Sequence, residues 1–229
     1  MSIVMSRSWV KMAAAVAAAG LAASACGTVK MGAAAITGDN RISSATLTAE
    51  VANLNSAYQA DRAKGFKPQR ASAQETQQVL TWLIIFNVYD KIAAQHNINV
   101  TPGQAQRQLA GLSSQAASSK ATLGEYVSAA GAVPPDLVPQ LGQYFAILSA
   151  LEGKLNGGKP PTTPAEQTAL QAKVGHEQCL ASKALGVTVN PQYGVWDYRT
   201  YSVVSARPTL AANPVPAPSP SPVVTKAPC

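Results

Sequence analysis

The apolar positions of this chain recur mostly at helical spacing. Leu47, Val51, Leu54 and Tyr58 fall three or four residues apart, the period of one buried helix face. With Ser43 or Ser44 as N-cap, they predict a helix running to about residue 63. A second helix is expected from about 73 to 96. Its centre, from Val79 to Tyr89, is apolar on every side, as in the buried spine of a bundle or in a membrane span. Those eleven residues, flanked by Gln77, Gln78, Asp90 and Lys91, are too few to cross a bilayer, which takes about 20. The segment reads as a core helix, or as one with a side that lines a groove.

Asn97 to Val100 interrupts the pattern, and Thr101-Pro102-Gly103-Gln104 restarts it. Thr serves as N-cap, Pro takes the first helical position and Gln follows three residues after the cap. A short helix is expected at 123–130. After Pro134-Pro135 another runs over 136–155 and carries Leu141, Tyr144, Phe145, Leu148 and Leu151. Thr163-Pro164 with Glu166 opens the last long helix, and Gly186 ends it. Two short stretches read as strands: 33–37, followed by the turn Gly38-Asp39-Asn40, and 187–189. The expected fold class is mainly α, a helical bundle with a small β-sheet formed by N- and C-terminal strands. No internal repeat is visible.

The first 26 residues change the picture of where the protein works. Arg7 and Lys11 precede an apolar run that closes on Leu21-Ala22-Ala23-Ser24-Ala25-Cys26, the layout of a secretory signal. A cysteine directly after small residues resembles the bacterial lipobox, although Ala23 stands where lipoboxes usually have Leu. Residues 1–25 are therefore expected to be a lipoprotein signal peptide, and 26–32 a lipid anchor on Cys26 with a short linker. The helical domain covers 33–199, and 200–229 is a Pro-rich disordered tail. The alternative is ordinary cleavage nearby, with Cys26 a bystander. The expected localisation is exported, lipid-anchored to the outer face of the cytoplasmic membrane.

Charge and composition exclude some classes. The formal charge is +7, falling to about +5 once Arg7 and Lys11 are removed with the signal. The basic residues are scattered singles without interleaved aromatics, so a nucleic-acid groove is not expected. Only 6% of residues are aromatic, which fits packing through small and aliphatic side chains. His96 and His176 stand alone and no CxxC occurs, so neither a metal nor any other cofactor is expected. On the last long helix Leu170, Val174, Ala181 and Leu185 share one stripe and Cys179 lies opposite, which predicts an accessible thiol. The segment after Arg199 is long enough to fold back, making Cys179–Cys229 a candidate disulfide in an exported chain. The competing view is two unrelated thiols.

Two segments carry a resemblance. Ala34-Ala35-Ile36-Thr37-Gly38-Asp39-Asn40-Arg41-Ile42-Ser43 is similar to the opening of the SurA-type and PrsA-type extracytoplasmic chaperones, where a strand, a turn and an Ile-Ser/Thr step start the first helix. Val189-Asn190-Pro191-Gln192-Tyr193-Gly194-Val195-Trp196 resembles the strand that closes the same domain, and Thr101-Pro102 sits where that family begins a helix. The resemblance implies a SurA N-terminal chaperone-like fold over roughly 33–198. In it Tyr193 and Trp196 act as structural aromatics and Gly194 serves a bend or a close approach. The parvulin-type isomerase module of many members has no room here, so prolyl isomerase activity is not expected.

The resemblance implies a non-enzymatic holdase that binds unfolded or nascent exported proteins without ATP. Trp82, Phe86, Tyr89, Tyr144 and Phe145 are the candidate client-binding residues, because aromatics offer contact area at low ordering cost. Gln104, Gln106, Gln108, Gln140 and Gln143 could complement an extended client backbone. The alternative function is an envelope scaffold or adaptor lipoprotein with one dedicated protein partner.

Overall fold

The computed structural model describes residues 32–63 and 72–206, all within the compact unit Gly32–Cys229. The expected signal peptide, Cys26 with its linker up to residue 31, Cys229 and most of the Pro-rich tail lie outside the described residues.

The chain enters as a hairpin. Strand β1 (Ala33–Thr37) pairs antiparallel with β2 (Asn40–Ser43), setting Ile36 opposite Arg41 and Thr37 opposite Asn40. Gly38 makes the turn at φ +62°, a backbone region that costs glycine nothing. The Ser43 hydroxyl accepts the Thr46 amide at 2.9 Å and so caps helix α1 (Ser44–Ala63). Helix α2 (Ser72–Gln95) follows. Then come α3 (Pro102–Ser118) and α4 (Leu123–Gly131), each opened by a capping box, from Thr101 with Gln104 and from Thr122 with Glu125. A 3₁₀ turn (Pro135–Leu137) leads into α5 (Val138–Leu155). Helix α6 (Pro164–Ala184) carries the third capping box, Thr163 with Glu166.

The fold is mainly helical with a small antiparallel sheet, as the periodicity requires. Helix α2 is the spine: Val79, Leu80, Ile84, Val88 and Ile92 are fully buried, and α1, α5 and α6 pack around it. Among the described residues no helix is long and apolar enough to cross a membrane. The two ends of the domain meet in the sheet, where β3 (Thr188–Val189) pairs antiparallel with β1 on the edge opposite β2. Asn190 extends this pairing, its amide bonding Ala34 O at 2.9 Å and its side chain Ala33 O at 3.1 Å.

Two readings of the chain's end need correction. The folded part does not stop at 199: β4 (Val195–Asp197) pairs with β5 (Ser202–Val204), and Val203 is buried. The hairpin is fastened to α2 by the Thr81 hydroxyl, which accepts the Val203 amide at 2.9 Å while donating to Gln77 O at 2.8 Å. Three residues beside a Pro-rich run carry too little period for a strand to be read from sequence. Gly194 permits this hairpin, since at φ +134° a Cβ would overlap the Val204 carbonyl oxygen. The second correction concerns Cys179, which is 0% exposed rather than accessible. Its side of α6 is covered as well as the aliphatic stripe: the β4–β5 turn lies there, and the Tyr201 hydroxyl donates to Gly175 O at 2.5 Å, one helical turn from Cys179.

Candidate functional site

The five aromatics singled out from sequence do come together. Trp82, Phe86 and Tyr89 follow one another at i, i+4 and i+7 along α2, and Tyr144 and Phe145 face them from α5. Tyr144 is the hub, with ring centroids 4.5 Å from Tyr89, 5.0 Å from Phe145, 5.8 Å from Trp82 and 6.4 Å from Phe86. Most of these contacts are edge-on or tilted, the arrangement that aromatic quadrupoles favour. Tyr89 is 2% exposed and the other four are half-buried. The Trp82 indole donates to Gly131 O at 2.9 Å, locking α4 to α2. Burial, then the neighbouring Tyr144 to which it hydrogen-bonds, pushes the Tyr89 hydroxyl far above the ordinary tyrosine range. Tyr144 is raised as well, by burial first. The cluster is thus a packed, neutral wall. Beside it Phe86, Tyr89, Asp90, Gln140, Gln143, Tyr144 and Ile147 leave a recess of about 30 Å³, room for a single water.

A much larger hollow opens next door and is lined by none of the five. It holds about 460 Å³ between the first turns of α3 and the start of α5. Val100, Ala105, Leu109, Val138 and Pro139 give it apolar walls, and Gln106 and Gln143 are exposed at its edge. That volume lies within the range of small-ligand sites, about 300–1,000 Å³. Gln143 borders both spaces. It donates through Nε2 to Asp90 Oδ1 at 3.0 Å, which orients its amide and leaves the carbonyl oxygen to accept from an incoming N–H. Burial holds the Asp90 carboxyl above the usual carboxylate range.

The hollow exists because α3 and α5 touch closely at one place. A Cβ on Gly142 would come within 2.8 Å of Leu109 Cγ and 3.1 Å of Ala105 O. The two helices meet there backbone to side chain, and the open space begins just beyond. Thr101 lines the hollow but is committed to its cap, bonding the Gln104 amide at 3.3 Å while the Gln104 side chain returns to the Thr101 amide at 2.7 Å. Of the glutamines expected to meet a client, Gln106 and Gln143 line the hollow, Gln140 borders only the small recess, and Gln104 is spent on the cap. Gln108 lines neither.

The apolar lining was missed because it depends on which helices meet. The sequence does carry a partial signal, small residues Ala105 and Gly142 on two helices that each have a proline in the first turn. No protein-family model matches this chain, and no curated protein or solved structure is detectably similar to it. Among the described residues no group of three or more His, Cys, Asp or Glu side chains could hold a metal ion. His96 instead hydrogen-bonds Glu177 at 2.8 Å, joining the end of α2 to α6.

Proposed function

We propose that this protein is a membrane-anchored extracytoplasmic holdase, related in design to the SurA-type chaperones. It binds unfolded exported polypeptides without ATP and without prolyl isomerase chemistry. The observation that carries this reading is the open apolar hollow of about 460 Å³ with two glutamine amides at its edge. Aliphatic walls without a charged group take up apolar side chains of varied shape. The Gln143 carbonyl, oriented by Asp90, serves the backbone of an extended segment. Burying two aliphatic client side chains contributes about 3–6 kcal/mol before the cost of association, which leaves a weak and reversible grip. The aromatic wall supports the hollow and is not itself the client surface, which moves the client contact from the five aromatics to Val100, Ala105, Leu109 and Val138.

Light scattering tests this reading. Chemically unfolded clients are diluted with and without the mature protein, and with a Gln106→Trp variant whose indole fills the hollow from an exposed position. Suppression by the wild type that Gln106→Trp loses, with its circular dichroism unchanged, supports the proposal. Equal suppression by both proteins refutes the hollow as the site. No suppression against several clients, with one membrane protein captured at fixed stoichiometry, would replace the holdase with a dedicated adaptor.

A further inference from the structure

Helix α3 is fastened more firmly at one end than at the other. It packs against α5 and α4. Among the described residues its one hydrogen bond to another helix comes from the Tyr126 hydroxyl to Gln115 Oε1, at 3.0 Å and near the C-terminus of α3. Ala116, the next residue, is the α3 side chain that is fully buried. Leu112 packs on the small core of Val127, Leu137 and Leu141. The first turns meet α5 where Leu109 and Ala105 approach Gly142, with the hollow of about 460 Å³ beside them. We infer that α3 is a hinged flap, which turns about residues 119–122 and lifts its first turns from α5 to admit an extended client segment between the two helices. What enters rests on the holdase reading above; the motion does not.

Little has to be broken for this motion. The capping box joins Thr101 to Gln104 within the flap itself, so the first amides of the helix stay satisfied when it moves. Along the hollow the seam lacks the dispersion contacts that a filled interface supplies. Opening therefore separates chiefly the contact of Leu109 and Ala105 with Gly142. Slack before α3 comes from Asn99 and Val100, which make no backbone hydrogen bond among the described residues. At the other end Lys120 holds a left-handed φ of +56°, a conformation that is sterically strained for a lysine. A few such element-terminal residues are enough to absorb the dihedral change of a hinge.

Relaxation-dispersion NMR on the full-length protein in detergent micelles reads the motion without a client. Amides of residues 103–112 and, opposite them, 138–146 are expected to share one exchange process on the microsecond-to-millisecond scale, with α1 and α6 quiet. Flat profiles in α3, with order parameters as high as those of α2, would overturn the inference. A lock then tests what the motion is for. A Cβ on Gly142 lies 2.8 Å from Leu109 Cγ, so cysteines at the two positions can join at ordinary disulfide spacing. In Leu109→Cys/Gly142→Cys the oxidised pair should flatten the dispersion and weaken suppression of client aggregation at least ~10-fold, and reduction should restore both. Wild type given the same reductant controls for the disulfide already present at Cys179. Locked protein that holds clients as well as its reduced form would refute the flap as the way in. A wild type that holds no client, yet shows exchange that the lock quenches, would sink the holdase reading and leave the flap standing.

Discussion

Gly142→Ala should destabilise the protein, although the same change elsewhere on α5 should stabilise it. The added methyl would sit 2.8 and 2.9 Å from Leu109 Cγ and Cδ1 and 3.1 Å from Ala105 O. The leucine is one helix's side chain but the oxygen is backbone, so α3 itself has to shift. Overpacking of this kind costs about 1–3 kcal/mol. Replacing a helical glycine returns roughly 1 kcal/mol of propensity, leaving a net loss of about 0–2 kcal/mol. Gly153, on the same helix, meets nothing within 4 Å, so Gly153→Ala keeps the whole propensity gain. The two variants should therefore differ by about 1–3 kcal/mol in urea denaturation at constant m-value. Adding Leu109→Ala to Gly142→Ala should cancel part of the clash, so the pair is less destabilised than the sum of its singles. Gly142→Ala as stable as Gly153→Ala would show that α3 and α5 do not meet closely, and the account of the hollow would fall with it.

Further outcomes follow from single contacts. Thr81→Val keeps the shape but leaves the Val203 amide without its bond; a loss of about 1–3 kcal/mol in chemical denaturation is expected, and no loss would mean that the β4–β5 hairpin is not held there. Trp82→Phe removes the donor to Gly131 O and should lower stability by about 1 kcal/mol, measured the same way. Glu50 has a buried oxygen with no hydrogen-bond partner, and burial, followed by the charge of Asp136, raises its pKa. The folded chain thus holds the Glu50 proton more tightly than the unfolded chain, so this contribution is full on the acid side and fades as pH rises through the raised value. Glu50→Gln should raise the melting temperature at pH 7, and the gain should shrink as the pH falls below the raised value. A gain that does not change with pH would refute the assignment to ionisation.

Much of the architecture was legible because helix ends are written in local chemistry. Thr101-Pro102-Gln104 and Thr163-Pro164-Glu166 place their helix starts to the residue. Gly186, at φ +56°, ends α6 with its amide on Lys183 O and the Val187 amide on Ser182 O, a Schellman closure that the glycine announces. The period of α2 likewise announced its burial. The sequence was silent where structure depends on contacts between distant elements. Strand β5 exists because Thr81, 122 residues earlier, offers an acceptor to Val203, and no local pattern encodes that. Cys179 was misplaced because a helical wheel counts one apolar stripe, whereas α6 is covered from a second side by Tyr201.

The candidate site divides along the same line. Aromatics at helical spacing were enough to bring Trp82, Phe86, Tyr89, Tyr144 and Phe145 into one cluster, yet large side chains that find one another fill the space they share. They leave about 30 Å³. The larger void arises where small residues stand: Ala105 and Gly142 let α3 and α5 approach, and the proline-led first turns of both helices then leave about 460 Å³ between them. A close-packed interior tolerates such a void only at the surface, where solvent or a ligand supplies the missing contacts. Aromatic content is therefore a poor guide to an open surface in this protein. The glycine and alanine of a tight helix crossing, with glutamines just outside it, mark the open apolar surface on which the proposed holdase reading rests.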